Sequence, residues 1–195
     1  MTYNSESTLH IGHISEHSMI YGPGIRFVIW TQGCTLACEG CWNKQYWAKN
    51  KGIEIQVEHL FERISNTKGI EGITLLGGEP LQQSFAVLNL IKRVKKLNLS
   101  VFLYTGYNVE EFNKIQLECY NLSDIVVSGR YIHSERDTNL RWRGSKNQQI
   151  NFPTKKYVDY EIKDMNELEL IIDQDGKVSI FGYPDEEIRK WAIEI

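Results

Sequence analysis

The chain has 195 residues, of which 42% are hydrophobic and 24% are charged, a balance typical of one soluble globular domain. Its 22 basic and 25 acidic residues leave a formal net charge of −3, which disfavours nucleic acid and anionic membranes as main partners. The amino terminus is polar, and no stretch approaches the roughly eighteen apolar residues that cross a bilayer. We therefore expect a cytoplasmic protein without a membrane partner.

Strand-like and helix-like patterns alternate through the first two thirds of the chain. Short runs rich in β-branched and aromatic residues predict strands, and apolar residues spaced three or four apart predict helices. In chain order these patterns predict strands at 9–14 and 25–31, a helix at 57–68, a strand at 72–76, a helix at 81–97, a strand at 99–105, a helix at 108–119 and a strand at 124–128. Such alternation indicates an α/β core of parallel strands joined by helices.

Four segments that follow predicted strands carry glycine or cysteine, namely residues 34–41, 77–80, 105–107 and 128–130. Loops after the carboxyl ends of parallel strands share one face of such a core, and ligands bind at that face. We therefore expect these four segments to converge on one pocket, although they are far apart in the sequence.

The last third of the chain shows a different pattern. Residues 131–153 are rich in Arg, Asn, Gln and Ser and predict a long ordered loop, whose basic residues we expect to face the pocket or a partner protein. The runs that follow predict a small antiparallel appendage and a final helix. The predicted strands are at 157–162, 168–173 and 177–181, with a turn at Asp175-Gly176, and the helix is at 184–193.

Three of the four cysteines, Cys34, Cys38 and Cys41, lie within eight residues. In a reducing compartment such crowding indicates metal or cluster ligation rather than disulfides. Three thiolates can bind three irons of a cubane cluster, but they fall one short of a closed tetrahedral zinc site. Cys119 falls on the apolar stripe of its predicted helix, so we expect it to be buried in packing rather than to bind metal.

The spacing of the three clustered cysteines, C-x3-C-x2-C followed by Trp42, resembles the signature of radical S-adenosylmethionine (SAM) enzymes. That resemblance implies a [4Fe-4S] cluster held by the three cysteines, with SAM bound at the open iron. Gly77-Gly78-Glu79-Pro80 follows a predicted strand and looks like the superfamily's motif for holding the amino group of SAM.

Further motifs resemble the activating proteins of anaerobic ribonucleoside-triphosphate reductase, within the same superfamily. They occur in family order over roughly residues 20–150, at 22–26, 32–34, 38–43, Trp47, 75–80, 104–107, 124–130 and 142–148. The resemblance implies an incomplete parallel β/α barrel for the main domain, residues 1–151. We expect residues 152–195 to form the antiparallel β-hairpin and helix appendage, packed on that domain, which family members generally lack.

The resemblance also implies a chemistry. One-electron reduction of the cluster leads to reductive cleavage of SAM into methionine and a 5'-deoxyadenosyl radical, which removes a hydrogen atom from a backbone glycine of a partner enzyme. That partner is expected to be an anaerobic ribonucleotide reductase or a similar glycyl radical enzyme. The electron is expected from a flavodoxin- or ferredoxin-type donor. The enzyme class that the resemblance implies is a radical SAM oxidoreductase, a glycyl-radical-enzyme activase of the formate-lyase-activating kind.

Site residues follow from matching the motifs position by position. The expected cluster ligands, which are also the catalytic residues, are Cys34, Cys38 and Cys41. The expected SAM-binding residues are Trp42, Asn43, Gly77, Gly78, Glu79, Pro80, Thr105, Ser128 and Arg130. Where family members often carry Asp-Gly-Lys, this chain has Ser-Gly-Arg at 128–130, so a cation site at that position lacks its carboxylate.

Simpler structural interpretations stand beside several of these assignments. The paired glycines of 77–78 also fit an ordinary turn, Glu79 also fits a partly structural role, and Arg130 also fits a surface ion pair. The amino-terminal histidines are expected to be solvated or packed rather than to bind metal, and they are His10, His13 and His17.

Two other functions fit the same residues. The first is a radical SAM maturase of a peptide or small molecule, which would use the same pocket on a different hydrogen donor. The second is a non-catalytic iron-sulfur or zinc module, such as an electron carrier, which requires a fourth ligand and has no affinity for SAM.

Overall fold

The computed structural model describes residues 7–176, 178–185, 187–188 and 190. Its strands are β1 (Thr8–Ser18), β2 (Arg26–Thr31), β3 (Ile53–Gln56), β4 (Gly72–Gly77), β5 (Ser100–Tyr104), β6 (Ile125–Ser128), β7 (Gln149–Asn151), β8 (Leu168–Ile172) and β9 (Val178–Gly182). Its α-helices are α1 (Val57–Asn66), α2 (Ser84–Lys96) and α3 (Lys114–Leu122). No helix in this described part of the chain has the length and apolar character needed to span a bilayer.

The first seven strands form one mixed sheet in the order β3-β1-β2-β4-β5-β6-β7. Strands β2, β4, β5 and β6 run parallel, whereas β1 is antiparallel to β2 and β3, and β7 is antiparallel to β6. Because α2 and α3 join consecutive parallel strands, the predicted α/β core is confirmed. Within the described residues the strand pairing ends at β3 and β7, and closure toward a barrel stays a prediction.

Alternate residues of the parallel strands bury both faces of the sheet. On β2, Phe27 and Ile29 pack in the cluster that contains the helices, while Val28 and Trp30 pack in a cluster on the opposite face. All four side chains are at most 2% exposed. Strands covered on both faces carry continuous apolar sequence, which explains the unbroken apolar run at 27–30.

Aromatic side chains from the last third of the chain cover the face opposite the helices. Trp142 packs edge-on against Phe102 of β5, with 5.2 Å between ring centroids, and stacks on Tyr160 at 5.8 Å. The hairpin of β8 and β9 brings the ring of Phe181 to 5.5 Å from that of Trp30. Residues beyond the seven-stranded sheet therefore pack directly on it.

The C-terminal elements agree only partly with the predictions. The antiparallel pairing of β8 with β9 confirms the predicted hairpin. The strand predicted at 157–162 is wrong, because Lys155–Tyr157 is a short 3-10 turn and the chain after it is irregular. The hydroxyl of Tyr157 donates to Glu71 at 2.6 Å, so a side-chain hydrogen bond anchors this segment instead of backbone pairing with another strand. Residues 186, 189 and 191–193 of the helix predicted at 184–193 lie outside the described residues.

The helix predicted at 108–119 is divided in two. Asn108 and Glu111 form a capping box, but it caps a 3-10 turn, Val109–Glu111, after which Phe112 is extended. A second capping box, formed by the side chains of Asn113 and Gln116, then starts α3.

The patterns do not predict β3 and β7, because both are short strands with polar, partly exposed residues at the edges of the sheet.

The guanidinium of Arg26 ties together the starts of three parallel strands. It donates to Thr74 Oγ1 on β4 at 3.2 Å, to the carbonyl of Ser100 on β5 at 3.3 Å, and to the carbonyl of Ile73. The side chain is fully buried. A buried cation requires such acceptors, and the buried acceptors in turn depend on the cation for their hydrogen bonds.

Arg26→Met should lower the free energy of unfolding by about 3 kcal/mol, because several buried oxygens lose their donor. The matched control is Arg63→Met, whose ion pair with Glu16 at 2.7 Å joins side chains that are 46% and 44% exposed. The control should cost less than about 1 kcal/mol. Urea denaturation measures both values, and equal losses would contradict the role assigned to Arg26.

Candidate active site

One cavity of about 250 Å³ opens at the carboxyl ends of the parallel strands. It is lined from the loops that follow β2, β4, β5 and β6, which carry the four segments expected to converge. The predicted site residues in this lining are Cys34, Cys38, Cys41, Trp42, Asn43, Gly77, Gly78, Glu79 and Thr105. The structure thus brings most of the predicted site together, whereas Pro80, Ser128 and Arg130 lie outside the lining.

The three cysteines lie on an irregular loop between β2 and β3 that neighbouring segments hold in place. Cys34 N–H donates to the carbonyl of Trp47 at 3.1 Å. Gln82 binds Thr35 twice, accepting from its backbone N–H at 3.2 Å and donating to its hydroxyl at 2.7 Å. Gln82 is a residue that the motif analysis leaves without a role, although its place just after the glycine motif puts it beside this loop.

The three thiols are partly buried and close enough to influence one another's charge. Burial raises the pKa of Cys34 and of Cys38, and the nearby thiol of Cys41 raises both further. Thiols that resist ionisation become thiolates when a bound cation such as iron compensates their charge. The donor set therefore fits an iron-sulfur cluster, in which each thiolate binds a different iron.

The remaining cysteine and the amino-terminal histidines have other roles. Among the described residues, no three His, Cys, Asp or Glu side chains are placed to hold a single metal ion. Cys119 is fully buried on α3 with its thiol 3.5 Å from the carbonyl of Ser84, which confirms its predicted packing role. His13 packs against Trp30, and His17 hydrogen-bonds a backbone carbonyl, as expected of packed or solvated histidines.

The paired glycines are required by close packing of backbone against backbone. A Cβ on Gly78 would lie 2.4 Å from the carbonyl oxygen of Gly33. A Cβ on Gly77, whose φ is +108°, would lie 2.6 Å from the backbone nitrogen of Thr31. These glycines therefore let the loop after β4 touch the start of the cysteine loop, where Glu79 N–H donates to the carbonyl of Gly33 at 2.9 Å.

The carboxylate of Glu79 joins the ends of β4 and β5 beside the cavity. It is 1% exposed and accepts hydrogen bonds from Leu81 N–H at 2.9 Å, Thr105 Oγ1 at 2.9 Å and Gly106 N–H at 2.7 Å. Burial raises its pKa to about 7, although these donors act in the opposite direction. Glu79 is therefore a structural residue as well as part of the cavity wall.

Three other predicted SAM-binding residues have polar or packing contacts within the fold. Thr105 donates its hydroxyl proton to Glu79, and Ser128 accepts a hydrogen bond from Asn151 Nδ2 at 3.1 Å. Pro80 is buried at the start of the 3-10 turn that follows the glycine motif. Of these three, only Thr105 also lines the cavity.

Arg130 is expected either to bind SAM or to form a surface ion pair, and the structure shows an ion pair. Its guanidinium donates to both carboxylate oxygens of Glu111, at 2.8 and 2.9 Å, and to the carbonyl of Gly106. The guanidinium also lies 5.0 Å from the centre of the Tyr107 ring. Its charge partly opposes the rise that burial causes in the pKa of Cys38, so it acts on the cysteine loop without lining the cavity.

The loop after β6 folds back against the end of that strand. Gln148 donates to the carbonyl of Gly129 at 3.0 Å and accepts from Gly144 N–H at 2.8 Å, while Asn147 donates to the carbonyl of Arg130 at 2.7 Å. The polar residues of this motif thus hold the loop in place. The loop contributes Thr138, Leu140, Trp142, Arg143, Gly144 and Gln148 to the cavity.

Two apolar residues of the wall carry a positional signal in the sequence. Leu76 and Tyr104 lie at or next to the carboxyl ends of β4 and β5, directly before motif residues that also line the cavity. The C-terminal residues of the wall carry no such signal, because their position depends on tertiary packing. They are Met165, Asn166, Glu167, Gly182 and Tyr183.

Comparison with known proteins identifies relatives of this chain. The family model described as a 4Fe-4S single cluster domain matches residues 20–151. An anaerobic ribonucleoside-triphosphate reductase-activating protein of Escherichia coli K12 is 30% identical over 68% of this chain and 92% of its own length. Proteins of the same name from Vibrio cholerae and enterobacteria phage T4 are 33% and 34% identical, over 68% and 67% of this chain and 91% and 86% of their own lengths. The chain belongs to this family of activating proteins.

The range that the family model matches contains the three cysteines, the glycine motif and the loop at 142–148. The cysteine side of the cavity is therefore part of the family's common domain, and the residues after 151 lie beyond the match. Among solved structures, the crystal structure of QueE from Escherichia coli aligns with a TM-score of 0.45 and 15% identity over 63% of this chain and 71% of that chain.

In this family member, Gly78→Ala should disturb the cysteine loop, because the new Cβ meets the backbone of Gly33. Overpacking of this kind costs about 1–3 kcal/mol. The matched control is Gly106→Ala, also on the cavity, whose Cβ would meet the flexible side chain of Leu36. Iron bound after anaerobic reconstitution should fall several-fold in the first variant and stay near the wild-type amount in the control. Equal iron contents would contradict the packing argument.

Glu79 should make the stability of the cluster-free protein fall as the pH rises. The ordinary pKa of its carboxyl is 4.5 and burial raises that pKa to about 7, so the folded state holds the proton more tightly. The contribution is complete below the unfolded pKa and is lost as the pH rises through the folded pKa, by about 3 kcal/mol in total. From pH 5 to pH 8 the free energy of unfolding should fall more steeply in the wild type than in Glu79→Gln, whose amide does not titrate. Parallel pH profiles would rule this out.

Proposed function

We propose that the chain is a radical SAM enzyme that generates a glycyl radical on an anaerobic ribonucleotide reductase. One observation carries the proposal: the three cysteines line the same cavity as Gly77, Gly78 and Glu79. In the enzymes that these motifs resemble, the cysteines hold the cluster and the glycine motif holds SAM. Family membership supports the partner, since its members are named for activating that reductase. We further propose that the sheet is the incomplete parallel barrel of this superfamily.

The cysteine loop supplies the metal side of this chemistry. When bound, a [4Fe-4S] cluster supplies one electron to SAM, whose cleavage yields methionine and a 5'-deoxyadenosyl radical that takes a hydrogen atom from a glycine of the partner. Cys34, Cys38 and Cys41 would hold the cluster through three of its four irons. Three ligands leave one metal position open to a small molecule, which a closed site with four protein ligands does not.

The glycine motif supplies the opposite side of the pocket. Gly77 and Gly78 place backbone at the cavity wall and let it pack directly against the start of the cysteine loop, where a side chain would clash with backbone. Glu79 retains free lone pairs beyond its three hydrogen bonds, and a carboxylate beside the ammonium group of SAM favours the charged form of both groups. Trp42 and Asn43 directly follow the last cysteine and line the same cavity, so we assign them to the adenosine side.

The walls of the cavity favour a radical reaction. Leu76, Tyr104 and Trp142 contribute apolar or aromatic surface, which excludes water and holds the reacting groups close together. A glycine is a suitable target because its Cα carries no side chain and is flanked by two peptide groups. The partner would therefore present a backbone loop to the cavity rather than a side chain.

The electron must come from outside the chain. The family is that of a single-cluster domain, and the described cysteines at the cavity are enough for one cluster. With one cluster there is no internal relay, so we propose a separate donor of the flavodoxin or ferredoxin type. Clustered cysteines that form no disulfide are typical of a reducing compartment, which supports the cytoplasm as the location we propose.

The names of the relatives favour the reductase as substrate over the peptide or small molecule of a maturase. An electron carrier is disfavoured by the ligand set, since the remaining cysteine, Cys119, is buried between α2 and α3 and does not line the cavity.

Cys38→Ala should abolish SAM cleavage, because the cluster loses one of its three protein ligands. The protein is reconstituted anaerobically with iron and sulfide and reduced with dithionite, and 5'-deoxyadenosine is quantified by mass spectrometry. The matched control is Cys119→Ala, which removes a thiol from the core and should keep iron and product near wild-type amounts. Product from Cys38→Ala at the wild-type rate would refute the ligand assignment. A wild-type protein with an intact cluster and no product would favour the electron carrier.

The same assay separates the two enzyme hypotheses when the reductase is added. Anaerobic ribonucleotide reductase should then acquire the electron paramagnetic resonance signal of a glycyl radical, in a reaction that depends on SAM. Formation of 5'-deoxyadenosine with no radical on the reductase would instead favour a maturase.

A further inference from the structure

The described part of the C-terminal segment, residues 152–176 and 178–185, contributes to the cavity although it lies beyond the family's matched range. It reaches the cavity at two places, one before β8 and one at the end of β9. Glu167 lines the cavity at the first place, and Tyr183 lines it at the second. This chain therefore adds a wall of its own to a pocket whose cysteine side belongs to the common domain.

Basic residues of the loop after β6 hold this wall in place. Arg141 donates to both carboxylate oxygens of Glu167, at 2.9 and 3.1 Å, and the two side chains are only 16% and 22% exposed. Arg136 donates to the hydroxyl of Tyr183 at 3.0 Å and lies 4.9 Å from the centre of its ring. Two-bond and partly buried pairs of this kind fix geometry better than exposed pairs do. From the sequence these arginines are candidates for contacts with SAM or a partner protein. In the structure they bind the C-terminal segment instead.

Tyr183 contacts the residues beside two of the three cysteines. Its ring meets the ring of Trp42 edge-on at 6.0 Å, and Trp42 directly follows Cys41. Its hydroxyl donates to that of Tyr131 at 3.0 Å, and the backbone of Tyr131 hydrogen-bonds the thiol of Cys38. One side chain of the added segment therefore contacts a neighbour of Cys41 and a hydrogen-bond partner of Cys38.

We propose that Tyr183 is a positioning residue that seals the cysteine loop against solvent, so that the C-terminal segment protects the cluster. The proposal rests on the cluster assignment of the proposed function and is independent of the identity of the partner. Solvent access sets both the lability and the reduction potential of an iron-sulfur cluster. Removal of the Tyr183 ring would open the loop to water between Trp42 and Tyr131.

The test compares Tyr183→Ala with a matched variant of the same hairpin, Phe181→Ala. Phe181 packs on Trp30 and His13 and does not line the cavity that holds the cysteines, so its loss weakens the hairpin while the ring of Tyr183 stays in place against Trp42. Both full-length variants are reconstituted with the cluster. The first measurement is the rate at which an iron chelator removes iron, and the second is the midpoint potential.

Tyr183→Ala should release iron about tenfold faster than the wild type, as expected when a contact that supports metal ligands is lost. Its midpoint potential should also shift, whereas Phe181→Ala should resemble the wild type in both measurements. Tyr183→Phe keeps the ring against Trp42 and should restore most of the protection.

Iron release from Tyr183→Ala at the wild-type rate would overturn the proposal. Equal acceleration in Phe181→Ala would also overturn it, because the hairpin as a whole would then be responsible. A wild-type chain that binds no cluster would instead refute the cluster assignment itself, so the two failures are distinguishable.

Discussion

The buried carboxylate of Glu79 is the interaction on which the candidate site depends. Its three hydrogen bonds connect the end of β4, the turn that follows, and the end of β5, so two loops of the cavity share one acceptor. A desolvated carboxylate is costly, and its raised pKa records that cost. Here the three donors offset part of that cost and place one buried carboxylate at the wall of the cavity.

Polar groups anchor both edges of the parallel sheet, and they do so differently. At the amino edge, Arg26 is fully buried and donates to oxygens of β4 and β5, with no part in the cavity. At the carboxyl edge, Glu79 accepts from backbone and hydroxyl donors, and Gly78 brings backbone against the start of the cysteine loop. The amino edge therefore contributes stability, while the carboxyl edge combines stability with the wall of the cavity, which lies where parallel α/β sheets usually bind ligands.

The cavity combines a common domain with an addition of this chain. The cysteines, the glycine motif and the loop at 142–148 lie within the family's matched range, whereas Glu167 and Tyr183 lie beyond it. The two parts are joined by Arg136 and Arg141, whose contacts are partly buried. The basic residues of that loop, which by sequence alone suggest a role at the pocket or toward a partner protein, thus bind the C-terminal segment of the same chain.

The sequence by itself determined the parallel core, the cysteine cluster and the glycine motif, because each of these depends on local spacing. It also placed Cys119 in the core, since an apolar stripe on a helix identifies its buried face. Only the tertiary structure decided that Arg130 pairs with Glu111, that Tyr157 anchors an irregular segment, and that Tyr183 reaches the cysteine loop. These contacts join residues far apart in the chain, and their partners are chosen by how the loops pack, which no periodicity or short motif encodes.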